Sequence, residues 1–257
     1  MDYSVKTFYI IEYRAQKMAN RLLASLSIHA AALEVGARMR DLSFLERTPF
    51  AWLIDRLTRQ GGGIWALGAP KFLPPTKPLG ERYTNLGSVY FFGWMFRNPI
   101  GMDRHRVELL RRFGPKPRIQ KKLTTLLAPL QGKKLIGIHL KLEPFKGFED
   151  GEFLVSRQRV QEIVDEYLRE SGLQPHDTCL VEVSDIGEQK DDILGLHLLS
   201  RCSVVIGDNS TFSNLAAWFG NIPHIVTTNV PIDWPYYRGK TGYFENKYAT
   251  FTHGSPL

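Results

Sequence analysis

Between residues 133 and 228 the chain switches six times between short apolar runs and longer segments of helical period. "KKLIGIHL" (133–140), "TCLVEVS" (178–184), "SVVIG" (203–207) and "PHIVTT" (223–228) read as buried strands. Between them stand "SRQRVQEIVDEYLRESG" (156–172), "DDILGLHLLSRC" (191–202) and "STFSNLAAWFG" (210–220), which read as helices. In the first of these, Val160, Ile163, Val164 and Leu168 share one face and Gly172 supplies a stop. Antiparallel strands can be joined by tight turns, whereas parallel neighbours need crossovers of a dozen or more residues. The alternation therefore predicts a parallel sheet with crossover helices, a Rossmann-like unit, whose ligands collect at the carboxyl ends of the strands.

The first half is less regular. "TFYIIEY" (7–13) and the aromatic "SVYFFGWMF" (88–96) read as strands. Residues 18–33 fit a helix with Met18, Leu22, Leu26, His29 and Leu33 on one face. "GPKPRIQ" (114–120) has the composition of a boundary between halves. The expected architecture is α/β: two Rossmann-like halves, residues 1–118 and 119–257, with the functional cleft between them. The aromatic tail from Val230 onward lacks helical period, and its expected place is over the first half or across part of the cleft.

With 257 residues, 43% of them apolar, the chain can build real cores. No apolar run approaches the roughly 20 residues needed to cross a bilayer, and the N-terminus lacks a signal-peptide pattern, so a cytoplasmic protein is expected. The two cysteines, Cys179 and Cys202, lie in or beside apolar runs and read as free buried thiols. The seven histidines show no metal-ligand spacing. Nine Lys/Arg against two acidic residues in 97–122 carry a local excess equal to the whole chain's +7. Such a run reads as a solvated helix face, or as a contact for anionic lipid, a phosphorylated substrate or nucleic acid. The interleaved aromatics of a single-strand binding groove are missing, and nucleic acid ranks last.

Three polar strand ends fall on one expected edge. His139 closes the first strand and is followed by Lys141 and Glu143; Ser184 and Asp185 close the second; Asp208, Asn209, Ser210 and Thr211 follow the third and open a helix. A capped helix needs no more than those hydroxyls. A helix start at a strand end is also a ready site for phosphate, because its first N–H groups and positive dipole end face the ligand.

Asn20 in "KMANRLLASLSIHAAALEVG", the segment "SVYFFGWMFRNPIGMDRHRVELLRRFGPKP", "GKKLIGIHLKLE" and "VVIGDNSTFSNLAAWFGNIPHIV" stand in the order of motifs in alpha-1,2-fucosyltransferases and related inverting glycosyltransferases. The sequence resembles that family from about Tyr9 to Val226, most closely in "NSTFSNLAA". The resemblance implies a GT-B-like fold, two facing Rossmann-like halves of which the first serves the acceptor and the second the nucleotide sugar. It implies transfer of a sugar, fucose or a related one, from a nucleoside diphosphate, GDP by analogy, to a glycan hydroxyl, with no metal and no bound cofactor. It implies that His139 and Asp185 hold the base and ribose. Lys141, Asn209, Ser210, Thr211 and Ser213, with Asn20 and Arg21 from the first half, would hold the diphosphate. Lys141 would stabilise the leaving group, and Glu143, with Glu149 and Asp150 as rivals, would be the general base. A lipid-linked acceptor would give the basic segment a use at an anionic membrane surface, as in polysaccharide biosynthesis. Trp94, Trp234, Tyr236 and Tyr237 are available to stack on a sugar or to pack in a core.

The sequence also departs from the family pattern. The arginine–arginine–x–aspartate run that follows the motif histidine is here Lys141, Leu142, Glu143 and Pro144, and Ala19 stands where the N-terminal motif has glycine. Lysine keeps charge but loses the planar fork that suits a diphosphate. A fold and nucleotide pocket retained without catalysis is therefore the rival expectation.

Overall fold

The computed structural model describes residues 7–12, 17–42, 64–67, 88–92, 96–140, 155–184 and 191–239. They form two compact units, with the division between Gly114 and Pro115. Each is a Rossmann-like α/β unit built on a parallel sheet.

In the first unit, β1 (Thr7–Glu12), β2 (Arg38–Asp41), β3 (Ile64–Leu67) and β4 (Ser88–Phe92) lie in the order β2-β1-β4-β3, every pair parallel. Helix α1 (Met18–Glu34) links β1 to β2. Phe8, Ile10, Val89 and Phe91 project from the strands onto Ala24, Ile28, Ala31 and Ala32 of this helix. Phe96, just beyond the β4 region, meets Phe91 edge-on at 5.1 Å.

The single apolar face expected of α1 is a correction. The helix is buried on all sides from residue 23 to 32, while Leu33 is 41% exposed. Small residues explain this. Ala24, Ala31 and Ala32 allow the sheet to approach one side, and on another Ser27 meets Met102 of α2 (Pro99–Arg104). His29 meets Phe113 of α3 (Arg106–Phe113) edge-on at 4.8 Å.

The basic segment spans α2, α3 and α4 (Pro117–Leu127). Its charges are partly spent locally, Arg111 on Glu108 and Lys122 on Asp191 at 2.9 Å, while Arg112, Lys116, Arg118 and Lys121 are exposed.

The second sheet contains β5 (Lys134–Leu140), β6 (Thr178–Ser184), β7 (Val204–Gly207) and β8 (His224–Val226), ordered β6-β5-β7-β8 and all parallel. Side chains alternate along β5 and split the helices between two faces. Ile136, Ile138 and Leu140 pack on Val160, Ile163 and Val164 of α5 (Arg157–Ser171). On the other face Gly137 approaches Leu199 at the end of α6 (Asp192–Leu199), and Gly207 approaches Ser213 of α7 (Thr211–Gly220).

The predicted helix ends agree with their chemistry. Ser156 accepts the Arg159 N–H at 3.1 Å, and Gly172 ends α5 at φ +68°. Cys202 is buried, whereas Cys179 is only half-buried, and both are free thiols.

The tail, as far as Gly239, is tied to its own unit. Arg159 donates to the Thr228 and Val230 carbonyls, and the Trp234 indole donates to Glu166 at 2.9 Å. Helix α8 (Trp234–Tyr237) follows Ile232 onto the α5 side of the sheet. No helix among the described residues is long and apolar enough to cross a membrane.

Candidate functional site

The connections on either side of β5 run over opposite faces of the second sheet. From β5 the chain leaves through α5 to one neighbour, β6; the other neighbour, β7, is reached through α6 on the far face. This is a topological switch point, where the carboxyl ends of adjacent strands are not covered by one crossover. In the parallel register His139 lies opposite Gly207 and Val183, and Leu140 opposite Ser184. The three polar strand ends read from the sequence therefore meet on one edge. Lys141, Glu143, Glu149, Asp150 and Asp185 lie outside the described residues, as does Trp94.

The centre of this edge is a buried polar cluster. His139 Nδ1 is 2.7 Å from Ser213 Oγ, and that hydroxyl donates to Asp208 Oδ1 at 3.1 Å. Asp208 Oδ1 is also 3.4 Å from His139 Nδ1. Ser210 caps α7 by accepting the Ser213 N–H, and the two serine hydroxyls are 3.2 Å apart. The His139 ring stacks on Phe212 at 4.6 Å with 25° between planes. Glycine is required at Gly207, since a Cβ there would lie 2.8 Å from the His139 carbonyl oxygen, a backbone atom.

A second set of bonds holds the same turn from below. Asn214 donates to Asn209 Oδ1 and to the Ser210 carbonyl, and its Oδ1 is 3.4 Å from His224 Nδ1. Complete burial lowers the His224 pKa from its ordinary value to about 4, so this imidazole is neutral at pH 7. Sequence reasoning did not single out Asn214 or His224. The available signal was an asparagine four residues after the cap, directly before the apolar run 215–219, and a histidine opening an apolar strand.

The expected site residues thus divide by position. His139 and Ser213 are fully buried, Ser210 nearly so, and all three bond inside the protein. Asn209 and Thr211 are half-buried at the mouth of the turn. The N–H groups of Thr211 and Phe212 precede the capped Ser213 N–H and point beyond the helix end. The buried hydroxyls and imidazole set the shape of the turn, while Asn209 and Thr211 stand at its mouth. Asn20 and Arg21 are half-buried in the first turn of α1, which follows the carboxyl end of β1 in the first unit.

This division makes Ser213→Ala informative. It removes the hydroxyl shared by His139, Asp208 and Ser210 while leaving buried polar groups behind, which costs about 1–3 kcal/mol. Urea denaturation should show that loss, and a change under about 0.5 kcal/mol would mean the cluster does not hold the turn.

No family model matches the chain. No curated protein matches it either. Solved structures do. A substituted Arabidopsis thaliana FUT1 in complex with GDP superposes with a TM-score of 0.56 at 12% identity, covering 93% of this chain and 74% of that one. NodZ alpha-1,6-fucosyltransferase soaked with GDP-fucose gives 0.51 at 13% identity, covering 84% and 93%. The fold is α/β and GT-B-like. At such identity the likeness concerns the fold alone. Among the described residues no group of three or more His, Cys, Asp or Glu side chains is placed to hold a metal ion.

Proposed function

We propose that this protein is an inverting, metal-independent glycosyltransferase that moves fucose or a related sugar from a nucleoside diphosphate, most simply GDP, to a glycan hydroxyl. The observation that carries the reading is the capped start of α7 at the switch point of the second sheet, beside the ends of β5 and β6. Support comes from the two fold neighbours, described with GDP and with GDP-fucose.

The reaction requires charge to build on the departing diphosphate while the acceptor oxygen attacks the anomeric carbon from the opposite face. Preorganised donors aimed at that charge are the usual largest source of catalysis. The Thr211 and Phe212 N–H groups, the Thr211 hydroxyl and the Asn209 amide are donors of this kind. The departing diphosphate is itself negatively charged, so cations are needed as well. Lys141, one residue beyond β5 in the sequence, is assigned as one, and Asn20 and Arg21 are assigned to the diphosphate. His139 and Asp185 are assigned to the base and ribose, and Glu143 is assigned as general base.

The test is thermal stability against GDP, UDP, ADP, CDP and dTDP, each without added metal. A ligand bound only to the folded state at a hundredfold excess over Kd stabilises by about 2.7 kcal/mol, a shift of several degrees. The expected result is a selective rise with GDP that Lys141→Ala removes. No response to any nucleotide would end the reading, and a selective response to another nucleotide would change the donor.

Leu142 and Pro144 favour a second reading, a binding protein that keeps the nucleotide pocket without transfer. A GDP response without donor hydrolysis or transfer would select it. Glu143→Gln with unchanged turnover would remove Glu143 from its role.

A further inference from the structure

At the strand-start end of the second sheet, away from the α7 turn, the α5 side carries a cavity of about 220 Å³. Its floor is Pro223 and Ile225, and its walls are Tyr167, Trp234 and Tyr237. Glu170, Ser171, Arg238 and Gly239 form its rim.

The walls are held in place by bonds made on their outer sides. The Trp234 indole N–H donates to Glu166, which Arg159 also grips at 3.0 Å. The Tyr237 hydroxyl accepts the Val226 N–H at 3.4 Å, at the end of β8. Trp234 lies 6.5 Å from Tyr167 and 6.2 Å from Tyr237, ring centre to ring centre, with the planes tilted by 39° and 56°. None of the three is fully buried.

The rim is polar but electrically balanced. Arg238 donates through both Nε and Nη2 to one oxygen of Glu170, at 3.1 and 2.9 Å. The Glu170 side chain is 32% exposed and that of Arg238 65%. An anion entering the cavity would meet the carboxylate and a cation would meet the guanidinium. A neutral ligand with several hydroxyls finds an acceptor in Glu170 and donors in Arg238 without disturbing that balance.

We propose that this cavity is a second carbohydrate subsite, taking one neutral sugar ring with its C–H face on Trp234 and Tyr237 and its hydroxyls on Glu170 and Arg238. Three features point to a sugar rather than a purely apolar ligand. The volume suits a single ring. The aromatic faces are fixed in advance, so little ordering cost remains on binding. Charged groups at the rim stand beside aromatic and aliphatic lining, a combination that orients a ligand rather than merely enclosing it. The site is independent of nucleotide binding at α7 and would engage a part of a glycan distant from the reacting hydroxyl.

The experiment follows the Trp234 indole N–H signal by heteronuclear NMR, assigned with Trp234→Phe. The probes are methyl glycosides of glucose, galactose, mannose, N-acetylglucosamine and fucose, with inorganic phosphate as an anionic control. The expected result is a saturable shift with at least one glycoside and none with phosphate. Arg238→Met, at an exposed position, should weaken that binding by about tenfold to a hundredfold while leaving the thermal transition and any GDP response unchanged. No saturable shift with any glycoside overturns the proposal, as does equal binding by Arg238→Met or a response to phosphate alone. Because the GDP response is read separately, failure here is distinct from failure of the transferase reading.

Discussion

Trp218→Ala is expected to lower the stability of the second unit by about 3–5 kcal/mol, the usual range for truncating a large buried aromatic. In a unit of this size that is a drop in Tm of roughly 6–20 °C. Trp218 is fully buried and meets Phe219 edge-on at 5.1 Å. It belongs to a helix buried along 212–219, which packs against α6 on one side and β7 on another. The neighbours on either side belong to different elements and cannot all move inward, so the vacated volume stays as a cavity. Because α7 also presents the proposed phosphate-binding N–H groups, the same variant should lose its GDP response before it unfolds completely. Scanning calorimetry with and without GDP reads both effects. A Tm within about 2 °C of the parent would show that α7 is not held by this packing.

Acid should unfold the protein in a window set by buried imidazoles. His29, His197 and His224 each have their pKa lowered from 6.5 to about 4, desolvation by burial being the first cause in every case. The folded protein keeps them neutral, whereas the unfolded chain protonates them near the ordinary value. The unfolded state therefore binds more protons between about pH 6.5 and 4, and stability falls as pH falls through that range. His224 alone is worth about 3 kcal/mol by the bottom of the window. His29 acts in the same direction through the first unit, and His197 adds to the second. Glu166 and Asp191 have carboxyl pKa values held low, by the Trp234 and Arg159 bonds against its burial in the first case and by Lys122 in the second, so their loss adds only under stronger acid. Denaturant titrations at a series of pH values should show a steep decline beginning near pH 6.5. A flat profile from pH 6.5 to 5 would mean that these histidines are accessible to protons in the folded state.

Much of the second unit was legible in advance because its chemistry is local. Ser156 and Gly172 bound α5, Ser210 opens α7, and the four apolar runs become the four strands of one sheet. The first unit was harder to read. "RMRD" at β2 has one half-buried and three exposed residues, so it carries no apolar alternation, and pairing with β1 makes it a strand. In α1, alanines and serines are buried as thoroughly as leucines, so the one face read from Met18, Leu22, Leu26, His29 and Leu33 did not mark what the helix buries. The tail, left with two alternatives by its composition, is bound through Gly239 to α5 by Arg159, Glu166 and Glu170.

The residue order by itself determined the parallel α/β class, the helix caps and the arrival of polar residues at three strand ends. Those properties follow from periodicity and capping within a few neighbouring residues. Which way each polar group faces was decided by the tertiary structure. Ser213 and Thr211 are hydroxyls two residues apart in one motif, yet one is sealed against His139 and Asp208 while the other sits at the mouth of the turn. The difference comes from β5, 74 residues upstream, whose parallel register sets His139 opposite Gly207 and so beneath the helix start. A contact across that separation depends on sheet order and on the absence of a side chain at Gly207, neither of which is visible within the motif.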